Sequence, residues 1–470
     1  MAPEINAKSI LERAQANPVW WVSQVLGDSL WAAQKKIIES VRDNRTTTVR
    51  SCHGVGKSFI ASRCALWFLM THPGSIVITT APTERQVRGI LWKEIRSAHA
   101  KSKAPLGGTV QQLKIDLAED WFAWGFTAPD YDPDRFQGFH AEHLLVVVDE
   151  ASGVSTEIFD GGISSLMSSE GARLLMIGNP TDSMGEFARS FKTPGVEKFR
   201  IDAYQTPNFT KLGITEDDIA SGEWKTKSEG KKLPHPYLVT PDWVADRYKA
   251  WGPTSPLYQA RVKAEFPNAG TDTLIPLSHL EQARNRNLIP EGPKHLGVDI
   301  ARFGSDETVV MKRIGPVARV EHAVRGYSTM RTAGLVKRAL VHTGADWAKV
   351  DSIGIGAGVI DALHEGGVNN ALECCFASSA VNKDGYINLR AEAYWNLKEL
   401  FERGEIDIDP RDDDLLEQLA NLKYKFNSHG KIQIMSKKEM KAMGLPSPDR
   451  ADALAMAFTP VNNSELVVLW

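Results

Sequence analysis

From Thr46 to about residue 205 the chain alternates short apolar runs with longer segments whose apolar residues recur at helical spacing. TTTVRS (46–51), SIVITTAP (75–82), LLVVVDE (144–150) and ARLLMIGNP (172–180) are β-branched or uninterrupted apolar runs bounded by turn residues. Such runs predict strands buried on both faces of a parallel sheet. Between them, SFIASRCALWFLM (58–70) and TERQVRGILWKEIRSAHA (83–100) predict helices. Strand and helix in alternation predict a doubly wound α/β domain. Residues 1–45 read as helical, with Pro18-Val-Trp-Trp21 in the middle and Trp31-Ala-Ala-Gln34 opening an amphipathic helix.

The pattern changes at residues 206–290, where Pro207, Pro234, Pro236, Pro241, Pro253 and Pro256 accompany a lysine-rich stretch from Lys225 to Lys232. This predicts a lid or connector with irregular loops. A second α/β region starts near 291. Three strand-like runs (HLGVDIAR, ETVVMKRIG, VARVEHAVRGY) precede a helix, the strand WAKVDSIG, another helix and the strand LECCFAS. The helices AEAYWNLKELFERG and ADALAMAF close it. The expected division is therefore 1–45, 46–205, 206–290 and 291–470.

A chain of 470 residues exceeds one hydrophobic core. No apolar run approaches the ~20 residues of a membrane helix, and the start has no export-signal pattern. Four cysteines (Cys52, Cys64, Cys374, Cys375) show neither metal spacing nor a disulfide framework, as expected in a reducing compartment. A formal net charge of −3 announces no nucleic-acid binding, so any such contact must be local.

Gly54-Val-Gly56-Lys57-Ser58 lies between a predicted strand and a predicted helix, the context a phosphate-binding loop needs. Glycines let backbone N–H groups close on phosphate oxygens, Lys57 would reach the β- and γ-phosphates of ATP, and Ser58 would hold Mg²⁺. Ser51 replaces the first glycine of the general pattern, and Arg50 flanks the loop. The strand Val146-Val-Val-Asp149-Glu150 ends in two carboxylates. Asp149 suits the Mg²⁺ and Glu150 the attacking water. Asn179, at the tip of the next strand, is a γ-phosphate sensor or plain Asn-Pro turn chemistry. Gln34 is an adenine contact or a solvated helix-face residue. Arg135 is a candidate for charge stabilisation. Arg88 reads better as a surface ion pair.

In the second region Asp299 and Asp351 end predicted strands and Asp449 precedes a helix. Carboxylates at adjacent strand ends and a helix start can converge, and hard oxygen donors suit Mg²⁺ or Mn²⁺. Two ions so held would activate water and stabilise the leaving oxygen of a phosphodiester, in an RNase H-like layout. Asp452 is a fallback ligand or a residue of the helix N-terminal turn. Asp306 is a turn residue or an outer contact. Glu392, Glu405 and the Asp412–Asp414 cluster read as solvated or helix-start residues. The glycines at 354, 356 and 358 would also suit a dinucleotide loop, but no acidic ribose partner is evident.

With these motifs in order, the chain resembles the large terminase subunits of tailed bacteriophages. The stretches that carry the likeness are TVRSCHGVGKS, TTAPTERQV, RFQGFHAEHLLVVVDEA, LLMIGNPT, GVDIARFGSDET, VDSIGIGAGVIDAL and DRADALAMAF, which span nearly the whole chain. The resemblance implies an N-terminal P-loop (ASCE/RecA-like) ATPase and a C-terminal RNase H-like nuclease. It implies that Lys57, Ser58, Asp149 and Glu150 run ATP hydrolysis, that Asn179 couples, that Gln34 lies near adenine and that Arg135 acts in trans. It places Asp299, Asp351 and Asp449 at the nuclease metals. The implied partners are double-stranded DNA, a portal protein, a small terminase subunit and further copies of the chain in a ring, a pentamer on the portal. The implied location is the host bacterial cytoplasm, transiently at the procapsid portal vertex and not in the mature virion. Lys225, Lys227, Lys231, Lys232, Lys423 and Lys425 are candidate phosphate contacts. Two departures stand out: Cys52 where a glycine is usual, and Pro448 where many members carry another aspartate. Rival expectations are a helicase-nuclease or recombination ATPase, for which a second RecA-like domain is lacking, and a packaging scaffold with an inactive site.

Overall fold

The computed structural model describes residues 7–127, 136, 138–267, 272–301 and 306–460. Two compact units follow one another, Met1–Asn268 and Ala269–Trp470. Residues 206–267 thus belong with the first unit and 272–290 with the second.

The first unit is built on an eight-stranded sheet. Its strands are β1 (Thr46–Ser51), β2 (Ile76–Ala81), β3 (Thr109–Val110), β4 (Lys114–Ala118), β5 (Trp121–Thr127), β6 (Leu144–Asp149), β7 (Ala172–Gly178) and β8 (Glu197–Ile201). They lie in the order β3-β4-β5-β2-β6-β7-β1-β8. From β5 to β8 every pairing is parallel, while β3 and β4 add an antiparallel edge. All six residues of β2 and of β6 are buried, the outcome expected of strands covered on both faces. Helix α1 (Ala32–Asp43) precedes β1, and α2 (Lys57–Thr71) follows it. Twelve residues of α2 are buried, so this helix is apolar nearly all round because it is enclosed. The pattern of 109–127 announces no strands, since β3 to β5 alternate weakly and are partly exposed.

The second unit carries a five-stranded sheet of β9 (Lys294–Asp299), β10 (Thr308–Ile314), β11 (Val317–Val324), β12 (Trp347–Asp351) and β13 (Ala371–Cys374). The order is β11-β10-β9-β12-β13. The first three strands run antiparallel, and β12 and β13 run parallel to β9. This is the RNase H-like arrangement. Helices α3 (Thr329–Thr343) and α4 (Ile355–Glu365) cover one side through Val336, Ala339, Val359 and Ile360. The unit also contains helices α5 (Leu389–Arg403), α6 (Lys437–Ala442) and α7 (Asp449–Phe458), two further helices over Leu277–Asn285 and Asp413–Ala420, and a small hairpin of β14 (Tyr424–Phe426) and β15 (Ile432–Ile434).

One glycine fixes how α7 meets the sheet. A Cβ on Gly297 would lie 2.0 Å from the Ala453 carbonyl oxygen and 2.5 Å from the Ala457 nitrogen. Only a residue without a side chain lets the helix backbone rest directly on β9. The alanines of ADALAMAF serve the same close approach.

Candidate functional site

The first candidate site forms at the ends of β1, β6 and β7. Ser51 ends β1, and the loop reaches α2 through Gly54 at φ +70° and Gly56 at φ +80°. Both are left-handed conformations that favour glycine. Gly54 also accepts a backbone hydrogen bond from Val239, 2.9 Å, and His53 stacks on Trp243 with ring centroids 5.7 Å apart. Residues from the proline-rich stretch therefore hold the loop in shape. Gln34 is buried, and its amide faces the carbonyls of Val55 and Gly56, each at 3.4 Å.

Lys57, almost fully buried, donates to Asn179 Oδ1 at 3.0 Å and lies 3.5 Å from Glu150 Oε1. Asn179 is itself fixed, donating from Nδ2 to the Ser51 carbonyl at 2.6 Å. Its backbone N–H meets Glu150 Oε2 at 3.3 Å. The Ser58 hydroxyl donates to Asp149 Oδ2, 2.7 Å. Glu150 adopts φ +48°, one of two non-glycine residues with positive φ among those described. That turn swings its carboxylate off the strand axis toward Lys57, a strained conformation of the kind that collects at functional sites. Gly178 on β7 leaves room for it, since a Cβ there would lie 3.0 Å from the Ala151 nitrogen and 3.3 Å from Glu150 Cα. Burial, with Glu150 adding, pushes the Asp149 carboxyl up to about 6, against the pull of Ser58 and Lys57.

Arg50 is not brought to this group. Its guanidinium pairs with Glu265 at 2.8 Å and lies over the rings of Phe191 and Phe266. Arg88 pairs with Glu84 on an exposed helix face, 3.2 Å, the surface ion pair expected of it. Arg135 lies outside the described residues. Cys52 is fully buried, and burial raises its thiol pKa, so it is a small apolar filler of the loop.

The second candidate site forms at the adjacent ends of β9 and β12. Parallel pairing sets Val298 beside Val350, so Asp299 and Asp351 follow at the same level. Helix α7, seated on Gly297, brings Asp449 and Asp452 to the same point. Three of the four carboxylates, those of Asp299, Asp449 and Asp452, meet at Lys437 on α6, a residue that sequence reading did not single out. Its ammonium lies 2.9 Å from Asp452 Oδ2, 3.4 Å from Asp299 Oδ1 and 3.8 Å from Asp449 Oδ1. Burial pushes Asp299 well above the ordinary carboxylate range; Lys437 opposes this, and Asp452, Asp449 and Asp351 add to it. Burial also raises Asp351, which accepts from the Ile353 N–H at 3.0 Å. Burial raises Asp449, which takes the Ser447 hydroxyl and the Glu307 N–H, the latter at 2.8 Å.

No group of three or more His, Cys, Asp or Glu side chains among the described residues is tight enough to hold a metal ion. One ammonium, that of Lys437, meets three of the four carboxylates. The donor set is nevertheless all carboxylate oxygen, the chemistry that fits Mg²⁺ or Mn²⁺. Asp306 is exposed beside Glu307, whose carboxylate pairs with Arg325 and Arg450. Glu392 accepts backbone N–H groups of Val381 and Asn382, Glu405 pairs with Arg403, and Asp412 caps the helix Asp413–Ala420. Each of the three is structural. The glycine at 356 has a packing reason, since a Cβ there would lie 1.7 Å from the Asp351 carbonyl. Among the candidate lysines, Lys227 pairs with Asp218, Lys423 with Asp272 and Lys425 with Glu439. Lys225, Lys231 and Lys232 are exposed.

Fold and sites together define a P-loop α/β unit followed by an RNase H-like unit with a four-aspartate site. The chain is similar to a phage large terminase subunit. It is 25% identical over 454 residues to the "Probable terminase, large subunit" of Enterobacteria phage P7, covering 90% of this chain and 87% of that protein. No family model matches the chain. Solved structures with likeness include the large terminase of bacteriophage HK97, with 13% identity over 94% of this chain and 98% of that one, TM-score 0.40. Another is the nuclease domain of the large terminase subunit gp2 of bacterial virus Sf6, with 23% identity over 40% of this chain and 100% of that one, TM-score 0.37.

Proposed function

We propose that this chain is the ATPase and nuclease of a phage DNA-packaging machine. It would drive viral double-stranded DNA into a procapsid and cut concatemeric DNA with the help of Mg²⁺ or Mn²⁺. The observation that carries this reading is the presence on one chain of two separate clusters. One is Lys57, Ser58, Asp149, Glu150 and Asn179; the other is Asp299, Asp351, Asp449 and Asp452 around Lys437.

In the first cluster, loop amides and Lys57 would bind the β- and γ-phosphates of ATP, while Ser58 and Asp149 would hold Mg²⁺. Glu150 orients water for attack on the γ-phosphorus and takes its proton as the bond to the β–γ bridging oxygen breaks. Asn179 joins Lys57, the backbone of Ser51 and Glu150, so a change at the γ-phosphate would reach two strand ends. Gln34 fixes the loop from behind and borders the nucleobase side. In the second cluster, Asp299, Asp351 and Asp449 would hold the divalent cations. Those cations, when bound, supply an activated water and a stabilised leaving oxygen. DNA contact falls mainly on phosphates, since a translocating motor must accept any sequence. Lys225, Lys231 and Lys232 are the best-placed of the candidate lysines for it.

The resemblance adds partners: a portal protein, a small terminase subunit and further copies of the chain in a pentameric ring, with Arg135 reaching a neighbour's nucleotide. The division into 1–45, 46–205, 206–290 and 291–470 is proposed as the functional one, and host cytoplasm as the location. No helix among the described residues is long and apolar enough to cross a membrane. Plasmid cleavage and phosphate release by the purified chain test the reading. Cutting that needs Mn²⁺ or Mg²⁺, disappears in Asp299→Asn and survives Lys57→Ala is the expected result. Failure to cut with either metal would remove the nuclease half.

A further inference from the structure

Asp452 differs from the other three aspartates in what surrounds it. It is 1% exposed. One of its oxygens, Oδ1, accepts the Tyr394 hydroxyl at 2.6 Å and Arg390 Nε at 3.2 Å. The other, Oδ2, lies 2.9 Å from the Lys437 ammonium. Each oxygen thus faces a permanent cation, and a divalent ion there would sit against both. Asp449 instead takes a hydroxyl and a backbone N–H as its hydrogen-bond donors, with the Lys437 ammonium farther off at 3.8 Å and no arginine among the described residues paired with it. Neutral donors leave a carboxylate lone pairs for a metal.

Arg390 does a second thing. Its Nη1 donates to the Met435 carbonyl at 2.8 Å, two residues ahead of Lys437. One guanidinium therefore ties Asp452 to the backbone that leads into the helix bearing Lys437. Arg390 and Tyr394 stand four residues apart on α5, on one helix face, with the guanidinium 4.9 Å from the ring centroid. A lysine is a point charge on a flexible stem, and holding it in one place needs an anchor.

We infer that Asp452 is a positioning residue that anchors Lys437, with Arg390 and Tyr394 as its brace, while the metals fall to Asp299, Asp351 and Asp449. This rests on the nuclease reading above. The test is a double-mutant cycle on the full chain, read by calorimetric titration with Mn²⁺ and by Mn²⁺-dependent plasmid cutting. Asp452→Asn and Tyr394→Phe are each made alone and on Lys437→Ala, with phosphate release from ATP and the thermal midpoint as controls for folding. If Asp452 acts through Lys437, each change shifts half-saturating Mn²⁺ roughly 2- to 100-fold with the lysine present, the range for residues in contact, and adds almost nothing without it. An equal further loss in the Lys437→Ala background would show Asp452 to be a metal ligand and overturn the inference, as would a wild type that binds no Mn²⁺. Should Asp452→Asn fail to fold, Tyr394→Phe carries the cycle by itself, since it removes one hydroxyl. Coupled Mn²⁺ binding without DNA cutting would sink the nuclease reading and leave the anchor standing.

Discussion

The two acidic sites handle buried charge in opposite ways. In the first, two neighbouring carboxylates at the end of one strand are met by a lysine, a serine and an asparagine. Three of these five residues, Lys57, Ser58 and Asn179, stand at a helix start or strand end beside the loop. In the second, four carboxylates come from β9, β12 and α7, and one lysine comes from a short helix that packs nearby. The first site is assembled from runs of sequence that are adjacent in the sheet. The second exists only because a helix lies flat on a glycine. A site made of contiguous motifs tolerates shifts elsewhere, whereas one made of distant segments depends on every packing contact that aligns them.

The largest effect separates the two chemistries. Glu150→Gln should lower ATP hydrolysis by roughly 10²–10⁴-fold, the usual contribution of a positioned base. Nucleotide binding and plasmid cutting should persist. An equal fall in cutting would mean that the sites are not independent. Next is the packing dependence of the second site. Gly297→Ala places a methyl group 2.0 Å from the Ala453 oxygen. It should cost about 1–3 kcal/mol and displace α7. Cutting should be lost while phosphate release continues, and retained cutting would refute the argument that this glycine seats the aspartates.

The charge difference can be read through pH. Folding raises the Asp149 carboxyl from its ordinary 3.8 to about 6. The folded state therefore holds this proton more tightly than the unfolded chain. The resulting stability is present below pH 3.8 and is lost as pH rises through about 6. Its size is about 3 kcal/mol at most, from 1.36 kcal/mol per pKa unit. Asp149→Asn should remove this component, so that without Mg²⁺ and nucleotide its denaturation midpoint gains on wild type between pH 4 and 7. A constant difference across that range would show that Asp149 does not titrate there. Smaller effects should come from the loop's supports. Gln34→Ala loses two long hydrogen bonds and should weaken ATP binding by about tenfold or less. Arg50→Ala should leave the kinetics of hydrolysis within about twofold, because its partners are Glu265 and two phenylalanines. A tenfold loss of hydrolysis would place Arg50 back among the nucleotide contacts.

Much of the fold was legible because buried parallel strands are written as apolar runs. LLVVVD and ARLLMIG could hardly be anything else, and Gly54-Val-Gly56-Lys57-Ser58 states its chemistry in five residues. The strands at 109–127 and the hairpin at 424–434 were not legible, since half-exposed strands lack that signal. The sequence also placed Asp299, Asp351 and Asp449 at element ends, where convergence was possible.

By itself the sequence determined the two α/β regions, the loop and the carboxylates, because periodicity and motif spacing are local properties of a chain. Tertiary structure alone decided that Arg50 faces Glu265 and that Gln34 backs the loop. It also decided that Lys437, an ordinary lysine in Ser436-Lys-Lys-Glu439, lies among four aspartates. Its position depends on Arg390 holding Met435 and on α7 resting on Gly297. Those contacts join residues tens to more than a hundred positions apart, and no local pattern encodes them.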